Sequence, residues 1–214
     1  MNKARFLLIS VVSIMLTTGF KMAGKGENKP TVQSAFNGHY YVRSIPSDEY
    51  GTAGKTQVFQ VTSDVDKLLD EYPVYMRGEL YLGWSPITGK WCLVHLEPER
   101  ITSSSDFKKR GKVSRLAFYM GGKELCTYSG AALDKLGLND KAQPRIDGQS
   151  RQFTVHGIMQ IPRTNHYVFS IKKPSETGAG TDTISLDITT GKIFVEDSVK
   201  NTEPIVPVDG PPFR

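Results

Sequence analysis

The chain has 214 residues, enough for one domain with a substantial core or for two small ones. Hydrophobic residues make up 38% and charged residues 23%, which argues against both a disordered chain and a multi-span membrane protein. The formal charge is +5, from 27 basic and 22 acidic side chains, but the basic residues are dispersed, so nucleic acid is not an expected partner.

Lys3 and Arg5 precede an apolar run over residues 6–16, broken by Ser10 and Ser13, and Thr17, Thr18 and Gly19 follow it. A basic start, a short apolar stretch and a small-residue exit read as a secretory signal over residues 1–19. The run is shorter than the ~20 residues a spanning helix needs, which favours cleavage after Gly19 over retention. No Ala-x-Ala precedes that point, so an uncleaved membrane anchor through residues 6–20 is the second reading. No cysteine follows the run, which excludes a lipid-modified start at a lipobox. Loss of Lys3 and Arg5 with the leader takes 2 from the +5 and leaves +3. The expected location is therefore outside the cytoplasm, periplasmic or secreted. There, Cys92 and Cys126 form an even set and a candidate disulfide. It would close a loop of about 34 residues and add about 3–4 kcal/mol by chain entropy. Two buried free thiols are the competing reading.

Residues 20–35 are polar and aperiodic and read as a linker. Residues 36–45 have strand composition and end at Ile45-Pro46-Ser47-Asp48. The following Gly51-Thr52-Ala53-Gly54-Lys55-Thr56 superficially resembles a phosphate-binding loop. It has Glu49 where that motif needs its first glycine, and a strand rather than a helix comes after it, so it reads as a glycine-rich turn. Residues 57–62 form a second strand. Ser63 then suits a helix N-cap, with Asp64 and Asp66 in the first turn. Val65, Leu68, Leu69 and Tyr72 fall at helical spacing, which predicts a two-turn helix stopped by Pro73.

Residues 79–97 hold both tryptophans and one cysteine, and they flank a Ser-Pro-Ile-Thr-Gly-Lys turn, which predicts a hairpin. Residues 99–112 contain a short basic run without interleaved aromatics and read as a solvated loop. A further hairpin is expected over residues 113–128. A short helix capped by Ser129 and ended by Gly137 follows, and then a polar loop over 139–149. Residues 153–161 alternate, pair across a Pro162-Arg163-Thr164-Asn165 turn with the strand through Tyr167, Phe169 and Ile171, and place Ile161 opposite Tyr167 and His156 opposite Lys172. A last hairpin spans 182–196, and residues 201–214, rich in proline, form a mobile tail.

The turns at residues 85–90 and 187–192 share Thr-Gly-Lys. Placing Asp187 opposite Lys192 sets Leu186 against Ile193. The same register in the earlier hairpin sets Trp84 against Trp91, Leu82 against Leu93 and Leu80 against His95. That hairpin is then apolar on both faces, which predicts a pair covered on each side. The fold expected is mainly β: antiparallel hairpins in a β-sandwich or partly open barrel, with two short helices, as a single domain over residues 36–200.

No nucleophile elbow, His-Glu-x-x-His or Cys-x-x-Cys pattern occurs, and Gly178-Ala179-Gly180 lacks the third glycine of a dinucleotide fingerprint. His95 and Glu97 share a strand face, as two metal ligands could, but no third ligand can be placed. His156 faces a lysine in the expected register, and His39 and His166 have no visible partner. Trp84, Trp91 and Tyr81 serve either as an aromatic platform for a glycan or peptide or, with more weight, as core. No catalytic, cofactor-binding or metal-ligating residue is assigned, and no cofactor is expected. The leading expectation is an exported, non-catalytic binding or structural domain whose partner is a cell-envelope protein or a glycan. The alternative is an extracytoplasmic hydrolase with a carboxylate or histidine site assembled from distant strands.

Overall fold

The structure is a computed structural model, and it describes residues 29–48, 51–98, 112–138, 153–162, 164–175 and 181–194. The expected leader, the basic run, the loop over 139–149 and the C-terminal tail lie outside these residues, as does most of the segment read as a linker.

The fold is mainly β, in three antiparallel sheets. The first holds β1 (Thr31–Ala35), β2 (Tyr40–Pro46), β3 (Gly54–Gln60) and β4 (Lys67–Tyr72), with a 3-10 turn, Phe36–Gly38, between β1 and β2. The second holds β5 (Glu79–Ser85), β6 (Lys90–Pro98), β7 (Val113–Met120) and β8 (Lys123–Ser129). The third holds β9 (Thr154–Gln160), β10 (Tyr167–Pro174) and β11 (Thr181–Asp187), with β10 in the middle. Every pairing joins strands adjacent in sequence, so short turn chemistry sets most of the topology. β1 begins inside the segment that composition assigns to a linker.

Burial follows the strand period on the second sheet. Leu80, Leu82, Trp91, Leu93, Ala117 and Tyr119 cluster with Tyr40, Val42, Val58 and Tyr72 of the first sheet. The alternate residues Cys92, Val94, Leu96, Leu116 and Phe118 cluster with Phe169, Ile171 and Leu186 of the third. The hairpin β5–β6 is therefore covered on both faces, and its register is the expected one, with Leu80 opposite His95, Leu82 opposite Leu93 and Trp84 opposite Trp91. The related turn after β11 also holds: Gly191, at φ +70°, donates its N–H to the Asp187 carbonyl at 2.7 Å, and Leu186 faces Ile193.

There is one short α-helix among the described residues, not two. It is α1, Gly130–Lys135, capped at its start by the Ser129 side chain, which accepts the Ala132 N–H. At its end Gly137 takes φ +69°; its N–H reaches the Asp134 carbonyl, while that of Leu138 reaches Leu133. This pair of bonds closes the helix, and the buried Leu133 and Leu138 add the apolar contact that usually accompanies them.

The helix expected over residues 63–72 is instead a bend followed by β4. The expected apolar face does not bury as a unit: Val65 is 81% exposed and Leu68 47%, while Tyr72 is in the core. Two turns of helix are marginal on their own, whereas β4 gives β3 backbone partners from Thr56 to Gln60, with one register shift after Val58. Asp66, read as a first-turn acid, instead accepts from the Tyr41 hydroxyl and the Thr62 N–H.

The β9–β10 register also differs from expectation. Tyr167 pairs with Gln160, and a shift beyond the Ser170–Gly157 pair makes Val155 the partner of Ile171. His156 is thus the extra residue of a bulge, not the partner of Lys172. Gly157 sits beside it at φ +84°, a backbone state that glycine adopts without strain. The bulge reverses the strand's phase, so Ile158 packs on the core while Met159 is 46% exposed.

Candidate functional site

β5 is the outer strand of the central sheet, paired to β6 and to no second strand. β1 lies close to it, as do β9 and β10. A cleft of about 280 Å³ lies along it. β1 contributes Ser34 and Ala35 to the lining and the turn after it Phe36, β5 contributes residues 80–84, and the third sheet contributes Ile158 and Tyr167.

Gly83 makes the third-sheet wall possible. A Cβ there would come within 2.8 Å of Ile158 Cδ1 and 3.3 Å of Ile188 Cδ1, so a larger residue would push these side chains back from the strand. On the opposite face an aromatic group backs the cleft. The Trp84 and Trp91 rings meet edge to face at 5.1 Å, and Trp91 packs on Tyr40 at 4.4 Å and on Phe36 at 5.6 Å. Phe36 is the described non-glycine residue with positive φ, +50°. A bulky side chain in that region costs about 1–3 kcal/mol, and such strain concentrates at functional sites.

The lining carries the Ser34 and Tyr167 hydroxyls and the buried, unpartnered Trp84 Nε1, together with polar groups of the β5 backbone. The Leu80 N–H points away from β6 and donates to Gln33 Oε1 at 2.6 Å. The β5–β6 pairing has no register shift, so alternation turns the N–H and C=O of Leu82 and Trp84 to the same outer side. Among the described residues these four groups have no hydrogen-bond partner. Tyr81, whose ring lies 5.0 Å from that of Phe169, gives its hydroxyl hydrogen to Glu79.

The residues singled out by sequence do not converge. Cys92 and Cys126 are free thiols, on β6 and β8, so the candidate disulfide is not formed. β7 lies between them, and two strand spacings, about 9.5 Å, exceed the roughly 7 Å Cα reach of a disulfide. Burial pushes the Cys92 thiol up to about 12, with lesser contributions from Asp187 and Asp70.

His95 is buried, 2% exposed, and its Nε2 lies 2.6 Å from the Arg77 carbonyl oxygen. Glu97 does share the neighbourhood, but the Arg77 guanidinium stands 3.9 Å from its carboxylate and disfavours a cation there. His156 is on the β9 bulge, and His166 lies 3.4 Å from Asp187. No group of three or more metal-binding side chains occurs among the described residues. Trp84 and Trp91 share one face of the hairpin and Tyr81 takes the other, so the three form no single platform.

The cleft itself was not foreseen. Its signals in the sequence are Gly83, flanked by large side chains in a strand, and Gly157, the bulge that turns Ile158 inward; both positions mark close approach or a bulge. No protein-family model matches the chain, and no curated protein matches it in sequence. No helix among the described residues is long and apolar enough to cross a membrane.

Proposed function

We propose that the chain is an exported, non-catalytic binding domain and that the cleft along β5 is its binding site. The observation that carries this reading is the cleft: a recess lined mainly by aromatic and aliphatic side chains, with the outward backbone groups of Leu82 and Trp84 along it. Apolar walls with a few fixed polar groups are the usual make-up of a ligand site. Its described lining holds no histidine or carboxylate, whereas hydrolysis needs at least two convergent titratable groups. The basic and apolar start of the sequence supports export. The reading also takes the three sheets as a stacked, sandwich-like body with β5–β8 as the middle layer. Two separate core clusters on the faces of that sheet support this.

Anilinonaphthalene sulfonate, which brightens on apolar surface, tests the site. The intact chain should bind it saturably, and Ala35→Phe, which fills the cleft from the first sheet, should abolish the signal without changing the circular dichroism spectrum. Signal that survives Ala35→Phe, or none with the parent chain, contradicts the reading. N-terminal sequencing of the expressed protein tests export: a chain beginning at Phe20 supports it, and an intact N-terminus in the cytosolic fraction contradicts it.

A further inference from the structure

We infer that the ligand of this cleft is an extended peptide, which adds to the outer edge of β5 as a fifth strand of the central sheet; the inference rests on the cleft being a binding site. The Leu80 N–H already donates such a bond, to the Gln33 side-chain carbonyl. Two and four residues on, Leu82 and Trp84 turn the same donors and acceptors outward, unpaired among the described residues, at the spacing a strand offers. Main-chain bonds to such an edge give affinity, while pockets for alternate side chains give selectivity.

The recess favours a single strand over a second copy of the chain. Leu80 and Leu82 are buried although they lie on an outer strand, with the first sheet on one side and Ile158 and Tyr167 on the other. Two such recessed edges cannot approach each other closely enough to pair. From Leu80 to Trp84 the strand spans roughly 13 Å, room for about five residues. An incoming strand would point its side chains alternately at the Phe36–Trp84 wall and at the Ile158–Tyr167 wall. Both are mainly aromatic and aliphatic, with Trp84 Nε1 and the Tyr167 hydroxyl as their polar atoms, and neither carries a charge. The ligand class is therefore an uncharged peptide with aliphatic or aromatic residues at alternate positions.

The test uses a pool of end-capped hexapeptides alternating Val, Leu, Phe or Tyr with Ser or Thr, selected on the immobilised full chain. The best binder is then remade with every peptide nitrogen methylated, which keeps its side chains and removes its donors. The expected result has three parts: at least tenfold slower amide exchange at Leu82 and Trp84 with the parent peptide, at least 30-fold weaker binding of the methylated one, and loss of binding in Ala35→Phe. If Ala35→Phe does not fold, Trp84→Ala serves in its place and should weaken binding at least tenfold. Equal binding of the methylated peptide, still blocked by Ala35→Phe, overturns strand addition and leaves the cleft as a binding site. A pool that yields no binder sensitive to either variant overturns both. Leu82 and Trp84 amides already protected in the free chain, or by self-association, show an edge held by the chain itself and overturn the inference alone.

Discussion

Gln33 of β1 and Leu80 of β5 are joined by a 2.6 Å bond from a backbone N–H to a side-chain carbonyl, and this contact ties the first sheet to the outer edge of the second. Leu80 is buried, 8% exposed, so its N–H depends on that acceptor more than on water. Gln33→Ala should cost about 1–3 kcal/mol, the penalty for leaving a buried donor unmet. Urea denaturation measures it, and exchange at the Leu80 amide should accelerate at the same time. An unchanged midpoint would mean that the bond does not hold the two sheets.

Gly191 permits the turn after β11 to close on the central sheet. A Cβ there would stand 2.5 Å from Cys126 Cβ and 3.0 Å from Phe118 Cδ2, at a φ of +70°. Strain and overpacking together should make Gly191→Ala lose about 2–5 kcal/mol in thermal or chemical unfolding. Gly89→Ala is the control. It shares the positive φ but meets nothing within 4 Å, so it should lose about 1–2 kcal/mol, the backbone term alone.

His95 makes stability depend on pH. Burial holds its pKa below the ordinary histidine value; the Arg77 carbonyl and Glu97 act the other way, and Arg115 and Arg77 add to the lowering. The unfolded chain takes up this proton below about pH 6.5, whereas the folded chain resists it. Stability is therefore full above that pH and falls as the pH drops toward the folded-state pKa, by up to ~1.4 kcal/mol per unit. His95→Gln, which keeps a donor near the Arg77 carbonyl, should flatten the urea midpoint between pH 7 and 5.5. An unaltered slope would assign the dependence elsewhere.

The thiols give a direct covalent readout. Unreduced protein denatured in guanidinium should take up two carbamidomethyl groups from iodoacetamide. In the folded chain Cys92 should resist, because a thiol pushed up to about 12 is almost never a thiolate near neutral pH. An unreduced chain that takes up none, with an intact mass lower by two hydrogens, would show a Cys92–Cys126 bond.

Local turn chemistry carries far in this sequence, and tertiary pairing sets its limits. The Thr-Gly-Lys turns placed Trp84 opposite Trp91 and Leu186 opposite Ile193, because a hairpin register follows from its turn. Ser129 and Gly137 marked the ends of α1 through their capping chemistry. The segment before Tyr72 misled, since Val65, Leu68 and Leu69 match a helical period by chance and pairing with β3 decides its state. His156 was placed wrongly for two reasons: the turn sets Tyr167 against Gln160 rather than Ile161, and a bulge then adds a residue that strict alternation does not count. The cleft was legible only in part. Gly83 and the β5 aromatics announce a close approach, but the approach of Ala35, Phe36 and Tyr167 belongs to how the sheets pack, which no local pattern encodes.

Amide hydrogen exchange along β5 in the full chain tests the central claim, an outer strand whose edge stands open to a ligand, most directly. Tyr81 and Gly83 donate to β6 and should be protected to near the global unfolding free energy, with Leu80 held by Gln33 at an intermediate level. Leu82 and Trp84 should exchange at least a hundredfold faster than Gly83. Equal protection at all four of Tyr81, Leu82, Gly83 and Trp84 would mean that both edges of β5 are already paired, and it would contradict the account.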